Sequence, residues 1–174
     1  MTAAAAAGAV GPLAAPALAA TGLDVSRLVR SALFVSDLPR SKSFYKDLLG
    51  LDQILFEGQF RGGTLGRLLG LPADAVVDAC ILKAEGPAYG MIGLFQVAGQ
   101  RPRVRKRRGT VNVGEAVLVF YAAQLDRFTE QVRAAGWTVV CPPVNLTPRF
   151  REMTFYGPDD QLINVIERDH RANP

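Results

Sequence analysis

Leu28-Val29-Arg30-Ser31-Ala32-Leu33-Phe34-Val35 runs straight into Ser36-Asp37-Leu38-Pro39-Arg40-Ser41, and the reading of this junction decides the fold. The first eight residues are mostly apolar and partly β-branched, the pattern of a strand over 28–35. Ser36-Asp37 interrupts it. Pro39, whose missing N–H costs nothing in a first helical turn, then opens a helix. That helix puts Phe44, Leu48 and Leu49 on one face and stops at Gly50. Beyond it the sequence predicts a strand over 51–56, a glycine-punctuated loop over 58–70 with a helical turn near 65–69, and strands over 75–84 and 89–97. The last two are joined by the turn Glu85-Gly86-Pro87-Ala88.

The second half repeats this order, with a strand over 116–122, a helix over 125–135 closed by Gly136, and strands over 138–141, 151–156 and 161–167. Phe34-Val35-Ser36-Asp37-Leu38 falls on Tyr121-Ala122-Ala123-Gln124-Leu125 without a gap, and Gly86-Pro87 with Met91-Ile92-Gly93-Leu94 falls on Gly157-Pro158 with Leu162-Ile163-Asn164-Val165. The chain reads as a duplicated βαβββ unit of the α+β class, with modules over 28–97 and 115–168. Each module alone leaves one sheet face uncovered, so the two are expected to pack as a pseudo-symmetric pair of curved mixed sheets. A basic linker occupies 98–114, an Ala/Gly/Pro-rich tail 1–27, and a charged tail 169–174.

At 174 residues, 49% hydrophobic and 21% charged, the chain suits one globular unit. Eleven of the first twenty residues are alanine, Pro12 and Pro16 interrupt any helix, and no positively charged segment precedes the apolar stretch as a secretory signal requires. No apolar run reaches the roughly 18 residues of a membrane span. The net charge of +4 comes from one stretch: setting aside Arg101, Arg103, Arg105, Lys106, Arg107 and Arg108 leaves 14 cations against 16 anions. Basic charge confined to one segment, with no interleaved aromatics, fits a solvated or anion-contacting loop, and nucleic acid is not an expected partner. Cys80 and Cys141 have no metal-knuckle spacing and no acid–base neighbour, so both read as structural thiols of a reducing cytoplasm.

Four segments in this order, Ala32 to Ser41 with Phe44-Tyr45, Leu48-Leu49-Gly50-Leu51, Met91 to Gln96, and Tyr156 to Asn164, resemble the vicinal-oxygen-chelate superfamily, which includes glyoxalase I, bleomycin-resistance proteins and extradiol dioxygenases. The resemblance implies two curved sheets, each cupping a pocket, often completed by a homodimer. It also implies metal ligands on the first and last strand of each module. In this sequence those positions fall on Arg30, Gly93, Val117 and Asn164. A permanent cation, a bare backbone, an apolar side chain and one neutral amide are not a divalent-ion site, and the only histidine, His170, lies beyond the last strand. No metal and no other cofactor is therefore expected.

Period-two alternation from those positions aligns Arg30, Ala32 and Phe34 on one face with Tyr89, Met91, Gly93 and Phe95, then Val117, Val119 and Tyr121, then Leu162, Asn164 and Ile166. The result is an apolar, aromatic cup with two polar anchors. Arg30 suits a carboxylate, phosphate or enolate and Asn164 a carbonyl, unless Arg30 pairs with Glu152 or Glu167 and Asn164 bonds backbone. Tyr89, Tyr121 and Tyr156 are candidates to stack on a flat ligand. Gly93 is expected to deepen the cavity. The expected function is metal-independent binding of a small, partly aromatic or anionic molecule. The alternatives are a cofactor-free isomerase or lyase, with Arg30 steadying an enolate and Glu152, Asp78 or Tyr156 as acid–base group, and, behind it, a metal-dependent enzyme of the family's type.

Overall fold

The computed structural model describes residues 28–86, 89–100, 114–147 and 150–168. The expected N-terminal tail, the basic cluster Arg101 to Arg108 and His170 lie outside them. The first half runs β1 (Arg30–Phe34), α1 (Leu38–Ser43), β2 (Gln53–Arg61), α2 (Gly63–Leu68), β3 (Val76–Lys83) and β4 (Met91–Val97). The second runs β5 (Leu118–Ala122), α3 (Leu125–Ala134), β6 (Val139–Thr147), β7 (Phe150–Tyr156) and β8 (Leu162–Glu167). They form two four-stranded sheets of equivalent order, β1-β4-β3-β2 (the first sheet) and β5-β8-β7-β6 (the second). The outer pairs β1–β4 and β5–β8 are parallel and the rest antiparallel, so this is the duplicated mixed-sheet α+β fold.

Each helix begins where the sequence breaks its strand. Asp37 accepts at 2.9 Å from Arg40 N, and Pro39 follows in the first turn. The helical hydrogen bonding widens into a π-helical turn over Phe44–Leu48, which carries Phe44 and Tyr45 inward. Leu125, Thr129 and Val132 form the buried stripe of α3.

Two strands outrun their expected length. β2 continues through Gly58 to Arg61 because that glycine is a notch in a sheet face and not a turn: a Cβ there would meet Phe56 Cζ at 3.1 Å, and the rings of Phe56 and Phe60 stack across it at 5.2 Å. β6 continues through Pro142-Pro143, which an edge strand tolerates, with register shifts on either side.

One core joins the modules. Leu38, Phe44, Tyr45, Cys80, Leu82, Ile92 and Leu94 of the first half pack in the same cluster as Leu118, Leu125, Val132, Met153, Phe155, Ile163 and Val165 of the second. Phe44 is its pivot, 4.7 Å from Trp137 and 6.1 Å from Phe155 by ring centroids. At the rim, the Asp159 carboxylate accepts from the backbone N–H of Ser36 at 3.0 Å and from its hydroxyl. The modules thus meet through their helix-bearing faces, and both remaining sheet faces turn away from the shared core.

Candidate ligand-binding site

The strand registers define what each outward face carries. On the first sheet, Ala32, Gly93, Ile81 and Phe56 form one cross-strand row and Phe34, Phe95, Ala79 and Gly58 the next, with Arg30 beside Met91 at one end. At the other end Val77, Ala79 and Phe95 are buried under Leu69 and Leu71 of the segment that follows α2, with Phe60 packed alongside. Phe34 is 56% exposed, its ring 6.3 Å from that of Phe95. Arg30 is exposed, and it makes no ion pair with a described residue. A cation with spare donors therefore stands beside an aromatic floor, an arrangement suited to a flat organic anion.

The second sheet's outward face is more polar. Val119, Asn164 and Thr154 share one row, and Tyr121, Ile166 and Glu152 the next. Asn164 Nδ2 donates to Glu152 Oε2 at 3.1 Å and to the Met153 carbonyl at 3.3 Å. The Arg168 guanidinium lies 5.3 Å from the Tyr121 ring centre and within 3.5 Å of its hydroxyl, so one side of that ring already has a partner. Tyr156 is half-buried opposite Leu162, at the far end of the same face.

Several expectations are corrected by this geometry. Gly93 does not deepen a cavity, because the space above it is filled: a Cβ would lie 2.9 Å from Phe95 Cε2 and 3.0 Å from Arg30 Cδ. Its bare backbone lets Arg30 lie across the sheet. Glu152 does not sit near Arg30, since the two are on different sheets whose outward faces point away from one core. Glu167 is not a partner of Arg30 either. It faces the helix side, accepting from Leu125 N at 3.0 Å and from Arg151 at 3.0 Å. Asp78 is also on the helix side, in register with Gln96 and held by Gln59 Nε2 at 2.8 Å, so it does not face the cup. Tyr89 and Val117 precede β4 and β5 and are exposed beyond the strand ends, outside the sheet rows.

Phe56 and Phe60 are the aromatic residues that sequence reasoning missed. Their signal was present as alternation, Phe56-x-Gly58-x-Phe60, and was lost by taking Gly58 as the end of the strand. The four positions where the resemblance implies metal ligands offer one neutral carbonyl oxygen between them, and Arg30 would repel a divalent ion, so these residues do not fit a metal. Among the described residues no group of three or more His, Cys, Asp or Glu could hold one elsewhere. Burial pushes the Cys80 thiol up, with Glu57 adding to it, so Cys80 is a core side chain and not a nucleophile.

The sequence matches the Glyoxalase/Bleomycin resistance protein/Dioxygenase superfamily over residues 27–165, and the chain belongs to it. Among solved structures it is similar to a glyoxalase family protein from Bacillus cereus, with a TM-score of 0.73, 20% identity, and 84% of this chain and 97% of that one covered. A glyoxalase I mutant from Zea mays aligns with a TM-score of 0.58 and 14% identity over 82% of this chain and 44% of that longer one. A member of the same superfamily from Sphaerobacter thermophilus gives 0.51 and 16%, covering 83% and 98%. At these identities the likeness is one of fold. Among curated proteins none matches the sequence. No helix among the described residues is long and apolar enough to cross a membrane.

Proposed function

We propose that this protein binds a small, partly aromatic organic anion on the outward face of its first sheet, without a metal of its own, as a homodimer in the reducing cytoplasm. The observation that carries the reading is Arg30, which has no ion pair among the described residues and lies across Gly93 next to Phe95, whose ring is 6.3 Å from that of Phe34. A guanidinium offers a forked pair of donors to a carboxylate, while the aromatic row takes a flat apolar body by offset stacking. Gly93 serves as the bed for the Arg30 stem. Asn164 and Glu152 supply a second polar patch on the other sheet, with Tyr121 beside it. Two cysteines that remain free thiols suit the compartment proposed.

Calorimetric titration with 2-naphthoate tests the reading. Stoichiometric binding is expected, with Arg30→Ala abolishing it and Phe34→Ala weakening it by roughly tenfold, the scale of one aromatic contact. Binding that Arg30→Ala leaves intact would overturn the anchor. A tight, stoichiometric site for Mn2+ or Ni2+ in the same instrument would overturn metal independence.

A second reading follows from Glu152. Its carboxylate is half-buried on the outward face, and among the described residues it accepts there from the Asn164 amide alone. A carboxylate so placed can take a proton from a carbon next to a carbonyl, which makes a cofactor-free isomerase or lyase the alternative. Exchange of a bound keto acid's α-hydrogen in deuterated buffer, lost in Glu152→Gln but with binding retained, would favour it over simple binding.

A further inference from the structure

We infer that the site on the first sheet takes a doubly charged head, with Lys83 as its second cation, so that its preferred ligand is a flat aromatic dianion. The inference rests on the reading of this face given above and narrows the ligand class. Among the strand residues of the outward face the ionisable groups are Arg30 on β1 and Lys83 on β3, both cations. No strand carboxylate shares that face, and neither cation forms an ion pair with a described residue.

The two charges can address one spot. Arg30, on an edge strand, lies across Gly93 of β4, with its Nε 3.3 Å from where a Cβ would stand. Gly93 is in register with Ile81 of β3, and Lys83 follows two residues along that strand on the same face. Such a diagonal neighbour is roughly 7–8 Å away between backbones, within the span of a flexible lysine stem. Lys83 Nζ donates to the Gly86 carbonyl at 2.6 Å, which engages one of its three donors and leaves its charge without a counter-charge. Like charges this near on one sheet face repel, and an anion between them relieves the repulsion. A single carboxylate fills the Arg30 fork and leaves Lys83 unanswered. A phosphate monoester, or two carboxylates on neighbouring ring carbons, offers oxygens to both cations. The apolar body then extends over Phe34 and Phe95, the next row of the face.

The test is calorimetric titration with three probes that share one aromatic body: 2-naphthoate, 2-naphthyl phosphate and naphthalene-2,3-dicarboxylate, at pH 8, above the phosphate's second ionisation near about 6. At least one dianion is expected to bind roughly tenfold or more tightly than 2-naphthoate, the scale of one added hydrogen bond between charged groups. Which of the two gains more distinguishes a compact phosphoryl head from a pair of carboxylates. Lys83→Met should remove the advantage, weakening the dianion roughly tenfold and 2-naphthoate by a smaller factor, whereas Lys83→Arg should retain it. Far-ultraviolet circular dichroism checks that both variants fold. Dianions that bind no better than 2-naphthoate, or an advantage that Lys83→Met leaves intact, would overturn the inference while leaving Arg30 as the anchor. A wild type that binds none of the three probes would overturn the reading of the face and this inference with it.

Discussion

Gln96 and Glu167 occupy equivalent places at the ends of β4 and β8, and each side chain accepts from the first backbone N–H of its module's helix, Leu38 N at 2.7 Å and Leu125 N at 3.0 Å. Duplication kept the device and changed its chemistry. In the first module the acceptor is a neutral amide, and Asp37 adds a second cap. In the second it is a carboxylate, Gln124 makes no side-chain cap, and Arg151 ties Glu167 to Asp126 on α3. The outward faces diverge in the same sense, toward aromatic rings and cations on one sheet and toward polar side chains with a carboxylate on the other. The scaffold of each half is set by shared hydrogen bonds and a shared core, so the outward faces were free to specialise.

The strongest way to break the partnership of the halves is at Phe44. This ring belongs to the first module, is 3% exposed, and besides Tyr45 of its own module at 4.9 Å it meets Trp137 and Phe155 of the second. Phe44→Ala should cost about 3–5 kcal/mol, the range for emptying a large buried aromatic. Urea unfolding measures it. A loss of less than about 1 kcal/mol would show that the modules do not share one cooperative core.

Two glycines sharpen the comparison. Gly157 and Gly93 both lack room for a Cβ, the first against Phe44 Cζ at 2.8 Å, the second against Phe95 Cε2 at 2.9 Å and Arg30 Cδ at 3.0 Å. Neither has a left-handed backbone, so sterics alone decide. The Phe44 ring is wedged between modules, and Gly157→Ala should cost about 1–3 kcal/mol as an overpacked core does. Arg30 can swing into solvent, so Gly93→Ala should cost less stability and show itself in weaker 2-naphthoate binding. Equal destabilisation by the two would mean that Arg30 is as fixed as the core.

The layout was legible because strand alternation, the helix opened by Pro39 and the aligned repeat all pointed to one answer. Errors fell where a residue's usual meaning yielded to tertiary context. Gly58 and Pro142-Pro143 signal breaks in isolation, yet the first leaves room for the Phe56 ring and the others sit on an edge strand. Site residues were legible as face positions and not as neighbours. Period-two alternation assigns Arg30 and Asn164 to outward faces, and it is silent on whether two such faces look at each other. The helix caps from Gln96 and Glu167 were readable in principle, since the repeat alignment places them five residues after Met91 and Leu162.

Helices α1 and α3 also bury one hydroxyl each, with opposite consequences. Thr129 Oγ1 donates to the Leu125 carbonyl at 2.7 Å and lies 3.1 Å from Met153 Sδ, whereas Ser41 Oγ, equally buried, has no hydrogen-bond partner among the described residues. Removing a satisfied group and removing an orphaned one should differ in sign. Thr129→Val is expected to destabilise by about 1 kcal/mol and Ser41→Ala to be neutral or stabilising by up to about 1 kcal/mol. Chemical unfolding of the pair reads both. A destabilising Ser41→Ala would reveal a partner for that hydroxyl.

The smallest effect concerns acid. Arg151 grips Asp126 through two hydrogen bonds of 2.8 and 3.0 Å, and that contact holds the Asp126 carboxyl below its ordinary value of 3.8. The folded state then binds this proton less readily than the unfolded chain. Its contribution is present above pH 3.8, and it disappears as the pH falls through the lower folded value. The first module ties its helix to its sheet by a different pair, Lys42 of α1 with Glu57 of β2 at 2.6 Å. Acidification from pH 5 toward 3 should therefore raise amide exchange in α3 more in the wild type than in Asp126→Asn, where the titrating group is gone. The pair is exposed to water, so the difference should be slight and should vanish in molar salt. A difference that survives molar salt would mean that Asp126 supports α3 by something other than its charge.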